Sequence, residues 1–182
     1  HGLSDNENSW SSYSSIGEFV KGKKVIIVMP NGDRSFYTDI PHVGQYFTYI
    51  TSELPNYIEA AFPAMDTREG RFIAGLSMGG YGALKAALTL PDRYMAAAGF
   101  SVVADVFDFC NDYPEVKASI FRDIENLADH DLFCLAEKAD ESPVKPHLYH
   151  WCGTEDFMYK RNTAFRDHMK KLSFDYTYSE TS

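Results

Sequence analysis

A chain of 182 residues, 45% of them hydrophobic, is long enough to bury one core, so a single domain is expected. Charged residues at 24% and aromatics at 15% are too few and too many, respectively, for a disordered chain. The net charge of -9 argues against a nucleic-acid partner, which needs a basic face, and the longest apolar runs fall far short of a membrane span.

The predicted elements alternate. "KKVIIVMPNGD" reads as a buried strand over Val25 to Met29, stopped by Pro30 and a turn at Asn31–Gly32. "GQYFTYITSELPNYIEAAF" has helical spacing in Phe47, Ile50, Leu54, Ile58 and Phe62, with a kink or a fresh start expected at Pro55. "RFIAGL" is a second short strand, and "GGYGALKAALTL" a helix of small residues ending near Pro91. "MAAAGFSVV" is a third strand, and residues 105 to 146 read as helical and irregular. "HLYHWCG" is a fourth strand, "KRNTAFRDHMKKL" a helix that turns basic toward its C-terminus, and "FDYTYS" a fifth strand. This order predicts an α/β fold: a mostly parallel sheet, helices on both faces, and a site at the carboxyl ends of the strands.

Cys110, Cys134 and Cys152 are odd in number and form no CxxC pair, so neither a disulfide framework nor a zinc site is indicated. They read as buried free thiols of a reducing, cytoplasmic protein. Secretion stays open as an alternative, because the chain starts at "HGLSD" without a methionine.

The chemistry centres on "GLSMG", residues 75 to 79, which matches G-x-S-x-G between an apolar strand and a small-residue helix. Such a turn needs glycines because strand and helix approach too closely for side chains, and it holds its serine strained and exposed above the sheet edge. Ser77 is therefore the predicted nucleophile. "HGL" at the start supplies a second signal, since an HG pair at a strand end places the next backbone N–H as an oxyanion donor. That donor is Leu3; the other is Met78, directly after the nucleophile. Each is worth about 3 kcal/mol of transition-state stabilisation. An acid is expected at a later strand end. Asp156, just past "HLYHWCG", is the first choice, and Asp105, after "GFSVVA", is the alternative. Either also fits a helix cap, the commoner use of such aspartates.

Taken in order, "HGLSDNENSW", "VIIVMPNGDRSFYTD", "RFIAGLSMGGYGALKAAL" and "CGTEDFMYKRN" resemble the esterase D group of α/β-hydrolases. Within that group the chain is most similar to tributyrin-type esterases, relatives of S-formylglutathione hydrolases and of acetyl xylan and feruloyl esterases. The resemblance implies a serine esterase for short acyl groups, with Ser77 and Asp156 in the triad and Leu3 and Met78 in the oxyanion hole. It also implies that Trp10 and the "PNGDRSFY" loop lie near the mouth of the site.

The base is missing from this pattern. Triad order is Ser, Asp, His, and of the six histidines only His168 follows Asp156. His168 falls about two turns into the predicted helix, roughly 12 Å along its axis, and cannot serve Ser77 from there. The histidine is expected in the loop after the fifth strand, beyond "YSETS", and a strand is expected before "HGL". Residues 1 to 182 thus read as one α/β-hydrolase domain, truncated at both ends, lacking its first strands and the loop that bears the histidine.

The expected reaction is hydrolysis of a small-molecule ester through an acyl-enzyme, without cofactor or metal; Asp5 and Asp33 lack ligand spacing. An acyltransferase on the same scaffold is the first alternative, and an inactive binding protein, if the intact chain has no histidine, the second. The segment 105 to 146 carries no stretch apolar enough for a long lipid tunnel, and its aromatics (Phe107, Phe109, Tyr113, Phe121 and Phe133) serve either a small pocket or the core.

Overall fold

The computed structural model describes residues 1 to 182. Two short helices, α1 (Ser9–Tyr13) and α2 (Ile16–Val20), open the chain, and a minimal hairpin follows, β1 (Asp39–Ile40) against β2 (Gly44–Gln45). The helical segment after it is α3 (Tyr46–Thr48), a π-turn over Tyr49–Glu53, and α4 (Leu54–Ala61). Pro55 lies in the first turn of α4. A proline there has no N–H to return to the previous turn, and the widened π-turn absorbs that loss, so the predicted break is a bulge in one continuous path.

Four strands build the sheet: β3 (Phe72–Leu76), β4 (Ala96–Phe100), β5 (His147–Gly153) and β6 (Tyr176–Thr181), hydrogen-bonded in that order. All three pairings are parallel, with Ala74 opposite Ala98, Ala98 opposite Tyr149 and Tyr149 opposite Thr177. Their carboxyl ends therefore share one edge, reached at Leu76, Phe100, Gly153 and Thr181. Between β3 and β4 runs α5 (Met78–Thr89); between β4 and β5 come α6 (Val106–Asp112), α7 (Pro114–Ser119), a 3₁₀ turn (Leu127–His130) and α8 (Leu132–Asp140). The last helix, α9 (Tyr159–Met169), connects β5 to β6.

Alternation along the strands assigns the two faces. Ala97 and Leu148 are buried and point, with Gly99 and His150, toward α5, α8 and α9. Every residue of α5 from Met78 to Leu88 is buried, which explains its composition: a helix enclosed on all sides selects small residues. The opposite face carries Phe100 and Tyr149, whose rings are 6.1 Å apart, and Trp10 of α1 covers Phe100 at 6.3 Å.

One predicted strand does not form. Residues 25 to 29 lie outside regular structure, with Val25 51%, Ile26 43%, Ile27 38% and Val28 39% exposed. A groove of about 1350 Å³ separates them from β3 and continues over the Phe100 face of the sheet. The physical reason is the want of a neighbour: an apolar run becomes a strand only when a second backbone takes its N–H and C=O groups. The aromatics of the 105 to 146 segment divide unequally. Phe109 and Phe121 are buried against Phe36, and Phe133 packs on Phe165, so these three serve the core, whereas Phe107 is 45% exposed.

Candidate active site

Ser77 is the residue between β3 and α5, with φ 56° and ψ -115°. That left-handed backbone costs a non-glycine residue of order 1–3 kcal/mol and persists because the surroundings fix it. The Ser77 N–H donates to Phe100 C=O at 2.8 Å, and the Ser77 carbonyl accepts from Tyr81 N–H at 2.9 Å. A Cβ on Gly75 would come within 2.2 Å of the Gly79 backbone, and one on Gly79 within 2.9 Å of the His1 carbonyl. The glycines of the motif are thus contact points between strand, helix and the His1–Gly2 segment. Serine in this position normally caps the following helix through its hydroxyl, yet Ser77 makes no such bond. Ser77 is half-buried, and its hydroxyl is left without a capping partner.

The oxyanion candidates flank it. Met78 is the first residue of α5, so its backbone N–H has no acceptor within the helix, and the helix dipole favours negative charge there. The segment His1–Gly2–Leu3 lies against the elbow, with the Gly2 Cβ position 3.9 Å from Leu76 C=O. Its shape is locked locally. Gly2 N–H donates to Asp5 Oδ2 at 3.1 Å and Asp5 N–H to Gly2 C=O at 3.1 Å. The His1 ring Nε2 accepts from Gly32 N–H at 2.9 Å, which leaves the proton on Nδ1 for Gly2 C=O at 2.8 Å. His1 therefore ties the "HGL" segment to the Asn31–Gly32 turn and is occupied at both ring nitrogens.

Asp156 lies in the turn between β5 and α9, half-buried; its Oδ1 accepts from Met158 N–H at 2.7 Å, and its N–H donates to Gly153 C=O at 3.2 Å. Asp105 caps α6, accepting from Asp108 N–H at 2.8 Å. Asp33 is engaged by the Tyr46 hydroxyl.

The other histidines are committed or remote. His130 Nδ1 accepts from the Lys85 ammonium at 3.0 Å, His147 pairs with Asp175, and His150 binds Tyr176 and Asn162. His168 packs tilted against Phe133, ring centroids 5.0 Å apart, and approaches Glu137, while His42 is exposed. None of the six hydrogen-bonds Ser77 or Asp156.

A second cavity, about 630 Å³, borders Leu3 and is lined by Asp33, Arg34 and Tyr46 on one side and by Ser119 and Ile120 on the other. The "PNGDRSFY" loop and the Leu3 segment thus share one concavity, and Trp10 stands beside the elbow through its contact with Phe100.

Three polar residues escaped the sequence reading. Asp131, 2% exposed, accepts from Val106, Phe133 and Cys134 N–H groups and so pins α6 to α8; burial raises its carboxyl above the usual range. The aspartate before "LFCLAE" was its cap signal. Lys85, 3% exposed in α5, donates to Thr38 Oγ1 at 2.8 Å, and burial pushes it down to about 7. A lysine within "GALKAAL" was visible in the sequence, but its partner 47 positions away was not. Asn162 is the third, fully buried one turn into α9.

The chain is similar to known esterases in sequence and in fold. A family model described as "Putative esterase" matches residues 1–178. An acetyl esterase of Caldicellulosiruptor saccharolyticus is 30% identical over 193 positions, covering 99% of this chain and 73% of its own. Among solved structures, the fluorophosphonate-binding serine hydrolase FphF of Staphylococcus aureus superposes with a TM-score of 0.88 at 32% identity, over 100% of this chain and 72% of that one. The S-formylglutathione hydrolase FrmB of the same organism gives 0.81 at 33%, over 100% and 70%. With a parallel sheet, a strained serine at its carboxyl edge and a match along nearly its whole length, the chain belongs to this esterase family, as a carboxylic ester hydrolase of the α/β-hydrolase fold.

Proposed function

We propose that the protein hydrolyses small esters of short acyl chains, with Ser77 as nucleophile. The observation that carries this reading is the Ser77 backbone at φ 56°, which withholds the hydroxyl from the helix cap and raises it at the carboxyl edge of the sheet. In this reading a histidine takes the Ser77 proton, the alkoxide attacks the ester carbonyl, and the N–H groups of Leu3 and Met78 hold the oxyanion. The leaving alcohol receives the proton, and water then releases the acyl group by the same steps in reverse. Asp156 holds the imidazole in the tautomer that accepts the proton, and its second carboxylate oxygen, not engaged by Met158, is the one assigned to it.

In this reading the base comes after the acid, in keeping with the triad order. Trp10 lines the substrate side. Two buried free thiols, Cys110 and Cys152, support a reducing, cytoplasmic setting, and no helix is long and apolar enough to cross a membrane.

Short-acyl preference is supported by the use of Phe109, Phe121 and Phe133 in the core, which leaves residues 105 to 146 no row of aromatics to line a long tunnel. Each methylene that fits a pocket adds about 0.8 kcal/mol, so kcat/KM is expected to rise only over the first few carbons. A p-nitrophenyl ester series from acetate to palmitate, kept below micelle formation, tests this. An optimum at about eight carbons or more overturns the short-acyl reading. A fluorophosphonate probe that leaves Ser77 unlabelled overturns the nucleophile.

A further inference from the structure

Two fully buried polar side chains lie outside the machinery described so far: His150 and Asn162, each 0% exposed. Asn162 uses every hydrogen-bonding site it has. Its Oδ1 accepts from Val102 N–H at 2.8 Å and from His150 Nε2 at 2.7 Å. Its Nδ2 donates to Val102 C=O at 3.0 Å and to Met158 C=O at 2.8 Å. An amide oxygen has no proton to offer, so His150 carries its proton on Nε2 and accepts the Tyr176 hydroxyl at Nδ1, 2.8 Å away. Burial keeps this imidazole neutral, pushed down to about 4. The three backbone partners, Val102 N–H, Val102 C=O and Met158 C=O, give the Asn162 amide one permitted orientation, and the amide in turn fixes the His150 tautomer.

What Asn162 joins is informative. Val102 stands two residues after Phe100, whose carbonyl holds the Ser77 N–H at 2.8 Å. Between them Ser101 adopts φ 48° and donates its N–H to Trp151 C=O, so the chain bends sharply at this point. Met158 stands two residues after Asp156, whose carboxylate holds the Met158 N–H at 2.7 Å. Asn162 thus bonds on one side to the strand exit that backs the serine, and on the other to the turn that carries the aspartate.

We propose that Asn162, with its amide oriented by the Val102 and Met158 backbone and braced by His150, is a positioning residue for ester hydrolysis: it sets the separation between the Ser77 turn and the Asp156 turn. The proposal rests on the assignment of Asp156 as triad acid. Asn162 touches no substrate and acts only through the two turns. A displacement of about 1 Å in such a separation costs about 10²-fold in rate. A carboxylate that drifts from the imidazole also ceases to favour its protonated form, so the acid limb of the pH profile moves to lower pH.

The test uses the active enzyme with a p-nitrophenyl acetate assay. Asn162→Leu is expected to lower kcat about 10²-fold with KM within about twofold, and to move the acid limb of kcat/KM downward. His150→Leu, which removes one of the two donors to the amide oxygen and leaves the amide in place, is expected to lower kcat about tenfold and to move the limb the same way; it serves as the readout should Asn162→Leu not fold. A folded variant of either kind with an unmoved acid limb and unchanged kcat overturns the proposal, since a role in packing alone alters the melting temperature only. Asp156→Asn is run beside them. If it stays active, the acid assignment has failed; if it is inactive while the Asn162 and His150 variants are normal, the positioning role has failed.

Discussion

Two five-residue apolar runs, Val25–Met29 and Phe72–Leu76, look alike in the sequence. Each is flanked by basic residues or a turn, and each leads into a glycine-containing turn. Only the second is a strand. Phe72–Leu76 pairs along its whole length with β4 and is backed by α5, while Val25–Val28 stay 38–51% exposed across a groove. The difference teaches that apolar composition nominates a strand and a neighbouring backbone elects it. It also separates the turns that follow. The one after Phe72–Leu76 is gripped by Phe100, Tyr81 and Gly79 and holds a strained serine; the one after residues 25 to 29 is held by the His1 ring.

The sharpest way to probe that contrast is at the two turns. Ser77→Ala in the active enzyme is expected to remove about 10⁶-fold of kcat for a short aryl ester, leaving the residue due to binding and oxyanion donors, with the circular dichroism spectrum unchanged. Retained turnover in the purified variant would show that the gripped turn carries no nucleophile.

Next in size is the comparison of the two strand-end aspartates. Asp156→Asn should lower kcat about 10⁴-fold by leaving the imidazole in the wrong tautomer, whereas Asp105→Asn, a change at the α6 cap, should alter kcat by less than about threefold. The reverse outcome in steady-state kinetics moves the acid one strand earlier.

Gly75→Ala tests the close approach itself. Its Cβ would sit 2.2 Å from backbone atoms of Gly79, which no rotamer change relieves, and a loss of about 3 kcal/mol in urea unfolding is expected. The smallest effect belongs to the other run. Ile27→Ala, at 38% exposure and without a ladder, should cost the 182-residue chain less than about 1 kcal/mol in the same measurement. A loss matching that of Gly75→Ala would mean that residues 25 to 29 are packed against a neighbour after all.

Much of the site was legible because it is local. The glycine spacing, the strand before it and the helix after it lie within one stretch of chain, and the strained turn follows from their covalent connection. The parallel sense of strands β3 to β6 was legible for a related reason: strand and helix alternate, and each helical crossover lets the next strand run the same way. The break at Pro55 was readable as a break, but its form as a π-turn was set by packing.

By itself, the sequence determined the strained serine turn, the alternation of strand and helix, and the candidates Ser77, Leu3, Met78 and Asp156, since each rests on residues close together in the chain. Tertiary structure alone decided which groups those candidates would meet. Asn162 reaches Val102 across 60 positions, Lys85 reaches Thr38 across 47, and His1 reaches Gly32 across 31. A buried polar group or a strand is completed only by whatever donor or acceptor folding brings beside it, and that partner leaves no mark in the residues on either side.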